Sequence, residues 1–240
     1  MDFAAEFLAE NQAFGSLIAA GDPDAAVPTC PGWTLQQLFR HVGRGNRWAA
    51  QMVADRATEN LDPRQVRDGK PPAGEELAWL DEGGQLLVSA VDSADDDVWT
   101  FLGPRPASWW LRRRLHEVLV HGVDAALALG QPVAVEPELA ADAIGELLDI
   151  LTYFDTASAA LRDGQSIHLH STDAAGEWTV TRRGDAVSWS GDHGKASVAL
   201  RGTATDLLLA LTRRQPREES GIETFGDQSV WQSWTDRVSF

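Results

Sequence analysis

The sequence predicts an α+β protein in which a helical bundle is followed by a small α+β domain. Up to about residue 161 the apolar residues recur with the period of a helix, and segments rich in Gly and Pro separate five such stretches. Beyond residue 162 apolar and polar residues alternate, as they do in strands. We therefore predict a boundary near residue 162, with the bundle over residues 1–162 and the α+β domain over 163–240.

The first three helices are predicted from their periodicity and their ends. Helix one covers about 3–20 and ends at a Gly-Asp-Pro sequence, which cannot continue a helix. Helix two opens at Thr34, three residues before Gln37, which is the spacing of a capping box. A polar loop then leads to helix three, at about 75–90.

Two longer helices complete the predicted bundle. Helix four covers about 108–129 and is capped by Gly130, and helix five covers about 138–161. In the second domain the alternating segments are 166–170, 178–181, 187–189 and 196–202, followed by a short helix at 205–211 and a closing segment around Trp231 and Trp234.

Composition limits the class of protein and its partners. An apolar fraction of 43% and a charged fraction of 23% are typical of a soluble globular protein. The net charge of −16 argues against binding to nucleic acid or to an anionic membrane surface. A single cysteine, Cys30, excludes an intramolecular disulfide and fits a reducing compartment. We expect a soluble cytoplasmic protein, because the first residues lack a basic signal-peptide region and no apolar run approaches the ~20 residues of a membrane span.

Helix four carries the residues that suggest chemistry. Glu117 and His121 are four apart and therefore lie only about 40° apart around the helix. His116 and His121 are five apart, roughly 140°, so His116 points elsewhere. Asp124, three residues after His121, is placed to hold the second ring nitrogen of that histidine. A Glu–His pair on one helix face forms half of a metal site, although such a pair is also common without a metal.

A third ligand is predicted on helix two. His41 lies at the edge of the apolar face of that helix, with Gly45 leaving space beside it. Bundle cores often carry metal sites built from facing helices, and two imidazoles with one carboxylate suit Zn²⁺ or a similar divalent ion. The alternative is that His41 is an ordinary core or capping histidine. We interpret His168, His170 and His193 as surface or strand residues.

These residues together resemble the mycothiol-dependent maleylpyruvate isomerase family. The blocks that carry the resemblance are Thr29-Cys30-Pro31-Gly32-Trp33-Thr34, then His41, then Arg113-Arg114-x-x-Glu117-x-x-x-His121-x-x-Asp124-Ala125. The resemblance implies a DinB-like four-helix bundle followed by a small α+β domain. It also implies that His41, Glu117 and His121 bind a divalent metal, usually zinc, with mycothiol as the thiol cosubstrate.

The resemblance also implies roles for arginines. The family ends a helix of its second domain in a Leu-Thr-Gly-Arg-like turn, and the corresponding stretch here is Leu211-Thr212-Arg213-Arg214, with an arginine where glycine is common. Arg214 is therefore a candidate catalytic residue, together with Asp124. Arg113 and Arg114 are candidates for binding the cosubstrate or a substrate carboxylate, unless they are only part of a solvated helix turn.

The expected function is addition of a metal-activated thiolate to an electrophilic small molecule, giving cis–trans isomerisation or S-transfer. One alternative is a metal-dependent hydrolase of a thiol conjugate, for which Asp124 or His116 would be the base. The other is a non-catalytic protein that binds a small ligand. The expected partners are a small-molecule thiol and its substrate, and the expected state is a monomer or weak homodimer.

Overall fold

The computed structural model describes residues 1–154, 157–215 and 217–238. The chain divides into two compact units, Met1–Val133 and Ala134–Phe240. Four helices build the first unit: α1 (Phe3–Ala19), α2 (Leu35–Ala54), α3 (Glu76–Asp92) and α4 (Ser108–Ala128). The α+β class and the order of a helical domain before an α+β domain are confirmed.

Local signals in the sequence define where the bundle helices begin and end. Thr34 Oγ1 accepts from the Gln37 N–H at 3.4 Å, and the Gln37 side chain accepts from the Thr34 N–H at 2.9 Å, so the predicted capping box is confirmed. Gly130 follows α4 with a φ of +63°, a conformation that glycine adopts without strain.

The core of the first unit forms where α1 packs along α4 and α2 packs along α3. Its largest fully buried residues include Trp110, Phe7, Leu38, Leu80 and Leu115. The contact between α2 and α3 depends on Gly43, because a Cβ there would lie 2.1 Å from the indole ring of Trp79.

The second unit is a five-stranded sheet with helices. Its elements are α5 (Pro137–Tyr153), β1 (Ser166–Ser171), β2 (Glu177–Arg183), β3 (Ala186–Ser190), β4 (Val198–Gly202), α6 (Ala204–Leu211), β5 (Glu223–Gly226) and α7 (Gln228–Arg237). The strand order is β3-β2-β1-β4-β5, and among the strands of the described residues only β1 and β4 pair in parallel. The four predicted strands are confirmed, whereas β5 was not predicted because it has only four residues and includes a glycine.

Helix α5 differs from its prediction in length and in partner. It ends at Tyr153 rather than near residue 161, and residues 155 and 156 of the predicted stretch lie outside the described part of the chain. It packs against α6 and falls in the second unit, so the observed division lies at Val133 and not near residue 162. Periodicity identifies a buried helix face but not the element that covers it, so the helical pattern alone does not assign this helix to a unit.

Within the described residues, no helix combines the length and the apolar character needed to cross a bilayer.

Candidate metal centre

Helices α2 and α4 bring the three predicted ligands together. Glu117 Oε2 lies 3.8 Å from His41 Nε2 and 3.6 Å from His121 Nε2. The two imidazole rings are nearly perpendicular, with centroids 5.0 Å apart. Ligand atoms of all three residues lie within 4.8 Å of one another. We call His41, Glu117 and His121 the bundle triad.

The orientation of His121 is set by a buried carboxylate. Asp124 is fully buried, and its Oδ2 lies 2.9 Å from His121 Nδ1. The same carboxylate accepts a hydrogen bond from the Thr29 hydroxyl at 2.5 Å and one from the Cys30 thiol at 3.5 Å. A carboxylate accepts, so Nδ1 carries the proton and the Nε2 lone pair faces Glu117. Asp124 therefore orients the His121 ring, as its spacing predicted, and Cys30 supports Asp124.

His41 is kept in the form that can bind a metal. Burial is the largest cause that lowers the pKa of His41 from 6.5 to about 3. Charge repulsion acts in the same direction, from His121 when its ring is protonated and from Arg114 and Arg44. The ring also stacks edge-on against Trp33, with centroids 5.0 Å apart. At neutral pH the imidazole is thus unprotonated, as a metal ligand must be.

The carboxylate of Glu117 is held by two arginines of α4. Arg113 forms an ion pair with Glu117 Oε1, and Arg114 Nη1 lies 3.5 Å from Oε2. Arg114 is in turn buried and fixed, because its Nε donates to Asn46 Oδ1 at 3.0 Å and its Nη2 donates to the Val42 carbonyl at 3.1 Å. Both arginines therefore orient a triad residue, and their predicted role in binding cosubstrate or substrate stays a prediction.

Gly45 makes the position of Arg114 possible. A Cβ on Gly45 would lie between 2.7 and 2.8 Å from three atoms of the Arg114 guanidinium. We expected Gly45 to leave space for His41, whereas the Arg114 guanidinium occupies this space.

A cavity of about 650 Å³ opens beside the bundle triad, lined by His41 and Glu117. We call its aromatic residues the aromatic wall: Trp33, Trp48, Phe101 and Trp110. The cationic lining residues are Arg40, Arg44, Arg113 and Arg114. Arg40 and Arg44 were not singled out from the sequence, although Arg44 lies one helical turn after His41 and that spacing places both on one face.

The remaining predicted site residues lie elsewhere. His116 is buried in α4 and is not among the grouped metal-binding side chains of the described residues, in agreement with its direction around the helix. Arg214 belongs to the second unit, where its Nη1 donates to the Thr212 carbonyl at 2.8 Å. A part for Arg214 in the site stays a prediction.

The bundle triad fits a divalent ion of the zinc type. Zinc binds imidazole nitrogen and carboxylate oxygen at about 2.0–2.2 Å, so tetrahedral ligand atoms lie about 3.3–3.6 Å apart. The separations of 3.6 and 3.8 Å from Glu117 are close to that range. Three protein ligands leave one coordination position open for a ligand that enters from the cavity.

Comparison with known proteins gives a consistent picture. Residues 4–126 match the family model of the mycothiol maleylpyruvate isomerase N-terminal domain, and residues 138–233 match the model of the MDMPI C-terminal domain. The fold is similar to the crystal structure of a point mutant of the mycothiol-dependent maleylpyruvate isomerase, with a TM-score of 0.61 and 15% identity over 92% of each chain. A second crystal structure of the mycothiol-dependent maleylpyruvate isomerase gives a TM-score of 0.58 and 17% identity over 93% of this chain and 91% of that one.

A curated relative comes from Mycobacterium tuberculosis. The uncharacterized protein Rv0738 is 28% identical over 138 residues, which is 55% of this chain and 70% of the relative.

Proposed function

This chain belongs to the mycothiol maleylpyruvate isomerase family, and we propose that it is a metal- and mycothiol-dependent enzyme acting on an electrophilic small molecule. The reaction would be cis–trans isomerisation or S-transfer. The observation that carries the proposal is the bundle triad, whose donor atoms converge at the edge of a cavity with aromatic and cationic walls.

The bundle triad would hold the metal, with Zn²⁺ the ion that its donor set suits best. When bound, a divalent ion deprotonates a coordinated thiol at neutral pH and so supplies a strong nucleophile. Asp124 keeps the Nε2 of His121 available, and Arg113 and Arg114 keep the carboxylate of Glu117 in place. This chain therefore need not provide its own nucleophile.

The cavity lining is suited to an acidic substrate. Arg44 donates from Nε to the Gly69 carbonyl at 3.1 Å, which fixes its guanidinium at the cavity wall, and Arg40 lies on the same helix. We assign these two arginines to a substrate carboxylate and to the negative charge that develops when a thiol adds to an electron-poor double bond. The aromatic wall would exclude water from the reacting atoms.

Two reaction outcomes follow from the same addition. Addition converts the double bond into a single bond about which the substrate rotates, and loss of the thiol then restores the double bond in the trans form. If the thiol is not expelled, the carbanion formed by addition takes up a proton, equivalent to the one that the thiol lost, and the adduct is released as an S-conjugate.

The hydrolase alternative has less support from the geometry. Its base would be Asp124 or His116, and both are buried. Asp124 already holds His121 and accepts from Thr29 and Cys30, so it serves as a positioning group.

The direct test compares metal content and thiol-dependent activity in untagged wild type and Glu117→Ala. We expect the variant to bind one equivalent of zinc less than wild type and to lose mycothiol-dependent turnover of maleylpyruvate-like substrates. Mass spectrometry of the products would separate isomer from S-conjugate.

His116→Ala is the control for a change within α4, and it should retain the zinc that Glu117→Ala loses. Equal zinc content in wild type and Glu117→Ala would show that the bundle triad is not a metal site. If wild type bound its full equivalent of zinc but showed no thiol-dependent turnover, the metal site would stand and the proposed enzymatic reaction would be refuted.

A further inference from the structure

Four potential metal ligands meet on one face of the sheet in the second unit. His168 and His170 are two residues apart on β1, so both project to the same face. The register with β2 places Thr179 opposite His168, and Glu177 opposite His170. The loop after β3 adds His193, whose ring lies edge-on to that of His168 at a centroid distance of 5.4 Å. Ligand atoms of His168, His170, Glu177 and His193, here called the sheet cluster, lie within 4.8 Å of one another.

The hydrogen bonds of Thr179 define which nitrogen of His168 carries the proton. The Thr179 hydroxyl lies 2.9 Å from the Asp192 carbonyl, which can only accept, so the hydroxyl hydrogen is donated there. The Thr179 oxygen must then accept from His168 Nδ1–H, 2.8 Å away. The neutral ring therefore presents a lone pair at Nε2.

The Nε2 lone pair of His168 faces a second hydrogen-bond acceptor, the Glu177 carboxylate. The side chain of His168 is only 5% exposed, and its Nε2 is buried without a hydrogen-bond partner among the described residues. Nε2 lies 4.0 Å from Glu177 Oε2, so a lone pair faces a carboxylate oxygen. A buried polar atom left without a partner is costly, and a cation between Nε2 and Oε2 would satisfy both groups. Since Zn²⁺ binds each at about 2.0–2.2 Å, a shift of a few tenths of an ångström brings both within its reach.

Glu177 also organises the two remaining imidazoles. Its Oε1 lies 2.9 Å from His170 Nδ1 and its Oε2 lies 2.9 Å from His193 Nδ1. The cluster thus contains three imidazoles and one carboxylate, of which three residues are fixed on paired strands. His193 is 76% exposed and His170 is 35% exposed, so an ion can reach the cluster from solvent.

A purely hydrogen-bonded cluster accounts for His170 and His193, which both contact Glu177. It leaves the buried Nε2 of His168 unexplained. Burial also lowers the pKa of His168, which disfavours the protonated ring that would otherwise donate towards Glu177.

We propose that the sheet cluster binds a divalent transition-metal ion of the zinc class, at a site in the second unit that is separate from the bundle triad. Three imidazoles and a carboxylate are a zinc-type donor set, and four protein ligands complete a tetrahedral shell. A closed shell of this kind is structural rather than catalytic, because it leaves no position for substrate. The ion would tie the loop at 191–197 to β1 and β2.

The test counts bound zinc in the untagged full chain after dialysis. Four proteins are compared: wild type, His41→Ala, the double variant His170→Gln/His193→Gln, and the combination of all three changes. We expect two, one, one and no equivalents of zinc respectively. Glutamine can still hydrogen-bond to Glu177, and both positions are partly exposed, so the double variant should fold, which circular dichroism would verify.

Thermal unfolding provides a second readout that does not depend on activity. Added zinc should raise Tm in His41→Ala, where only the sheet cluster is intact, and should not raise it in the combined variant. Lys195→Gln changes an exposed residue of the same loop and should bind as much zinc as wild type. The proposal is overturned if the double glutamine variant keeps the zinc content of wild type, or if zinc leaves the Tm of His41→Ala unchanged.

Discussion

At the scale of single residues, the neutral state of His41 is a consequence of the site that surrounds it. The desolvation and positive charge that hold its pKa near 3 also make it a poor proton acceptor and an available ligand. The unfolded chain has no such environment, and there the imidazole titrates near 6.5. Protonation of His41 is therefore linked to folding.

In metal-free protein, this linkage predicts a loss of stability on acidification. Between about pH 6.5 and pH 3 the unfolded state binds a proton at His41 that the folded state does not, so stability falls as the pH is lowered through this range. His41→Gln should remove this contribution and make the free energy of unfolding less dependent on pH. Urea unfolding of chelator-treated wild type and variant at pH 5 and pH 7 would measure the difference. Parallel pH profiles for the two proteins would contradict it.

Gly45 gives a second prediction at this scale. An added methyl group would displace the Arg114 guanidinium and with it the hold on Glu117. Gly45→Ala should therefore lower both metal affinity and stability, although alanine in a helix interior normally stabilises by roughly 0.5–1 kcal/mol.

Gly122→Ala is the matched control, because a Cβ at Gly122 in α4 meets nothing within 4 Å. It should show the ordinary helix gain of roughly 0.5–1 kcal/mol. Denaturant unfolding and zinc titration of both variants would compare their stability and zinc affinity with those of wild type. If Gly45→Ala stabilised the protein and left its zinc affinity unchanged, Arg114 would not need the space beside Gly45.

At the scale of helices, one buried polar chain links all four elements of the bundle. Asn11 of α1 donates to the Leu80 carbonyl of α3 at 3.3 Å and accepts from Asn46 of α2 at 2.8 Å. Asn46 accepts from Arg114 of α4, which contacts Glu117. The packing of the bundle and the position of a triad residue are therefore joined through hydrogen bonds.

Asn46→Ala tests this connection. The change removes the hydrogen-bond partner of Asn11 Oδ1 and that of Arg114 Nε, and we expect it to cost roughly 1–3 kcal/mol of stability. It should also weaken zinc binding, because Arg114 loses one of the hydrogen bonds that fix it beside Glu117. Denaturant unfolding and competition with a coloured chelator would measure the two effects. Asn60→Ala, at an exposed position, should change stability by no more than about 0.5 kcal/mol.

At the scale of the whole molecule, the bundle triad and its supporting residues all lie in the unit Met1–Val133. The match to the N-terminal family model also ends within this unit, at residue 126. The triad residues and the residues that orient them therefore come from one compact segment.

A fragment of residues 1–133 should consequently fold and bind zinc through the bundle triad. Circular dichroism and zinc titration would test it, with the same fragment carrying Glu117→Ala as the control. A helical fragment that bound no zinc would show that the site is incomplete without the second unit, and an unfolded fragment would show that the first unit depends on the second for stability.

Charge is also distributed unevenly over this acidic chain. The net charge is −16, yet four arginines line the cavity beside the bundle triad. A local concentration of guanidinium groups of this kind is suited to a small anionic ligand.

The sequence by itself determined the features that depend on near neighbours. Helical period and capping residues placed α1 to α4, and alternation placed β1 to β4, because each signal is contained within one element. The spacing of Glu117, His121 and Asp124 defined one face of α4 for the same reason. His41 was predicted as the third ligand from its place on helix two and from the family resemblance.

Only the tertiary structure decided the features that depend on residues far apart in the chain. Arg114 contacts Asn46 across 68 positions, so its role in fixing Glu117 could not be derived from its own helix. Packing likewise decides that α5 belongs to the second unit. It also decides that His193 meets His168 of β1. Such contacts form because folding brings separate elements to one place, and a local sequence pattern does not record which elements will meet.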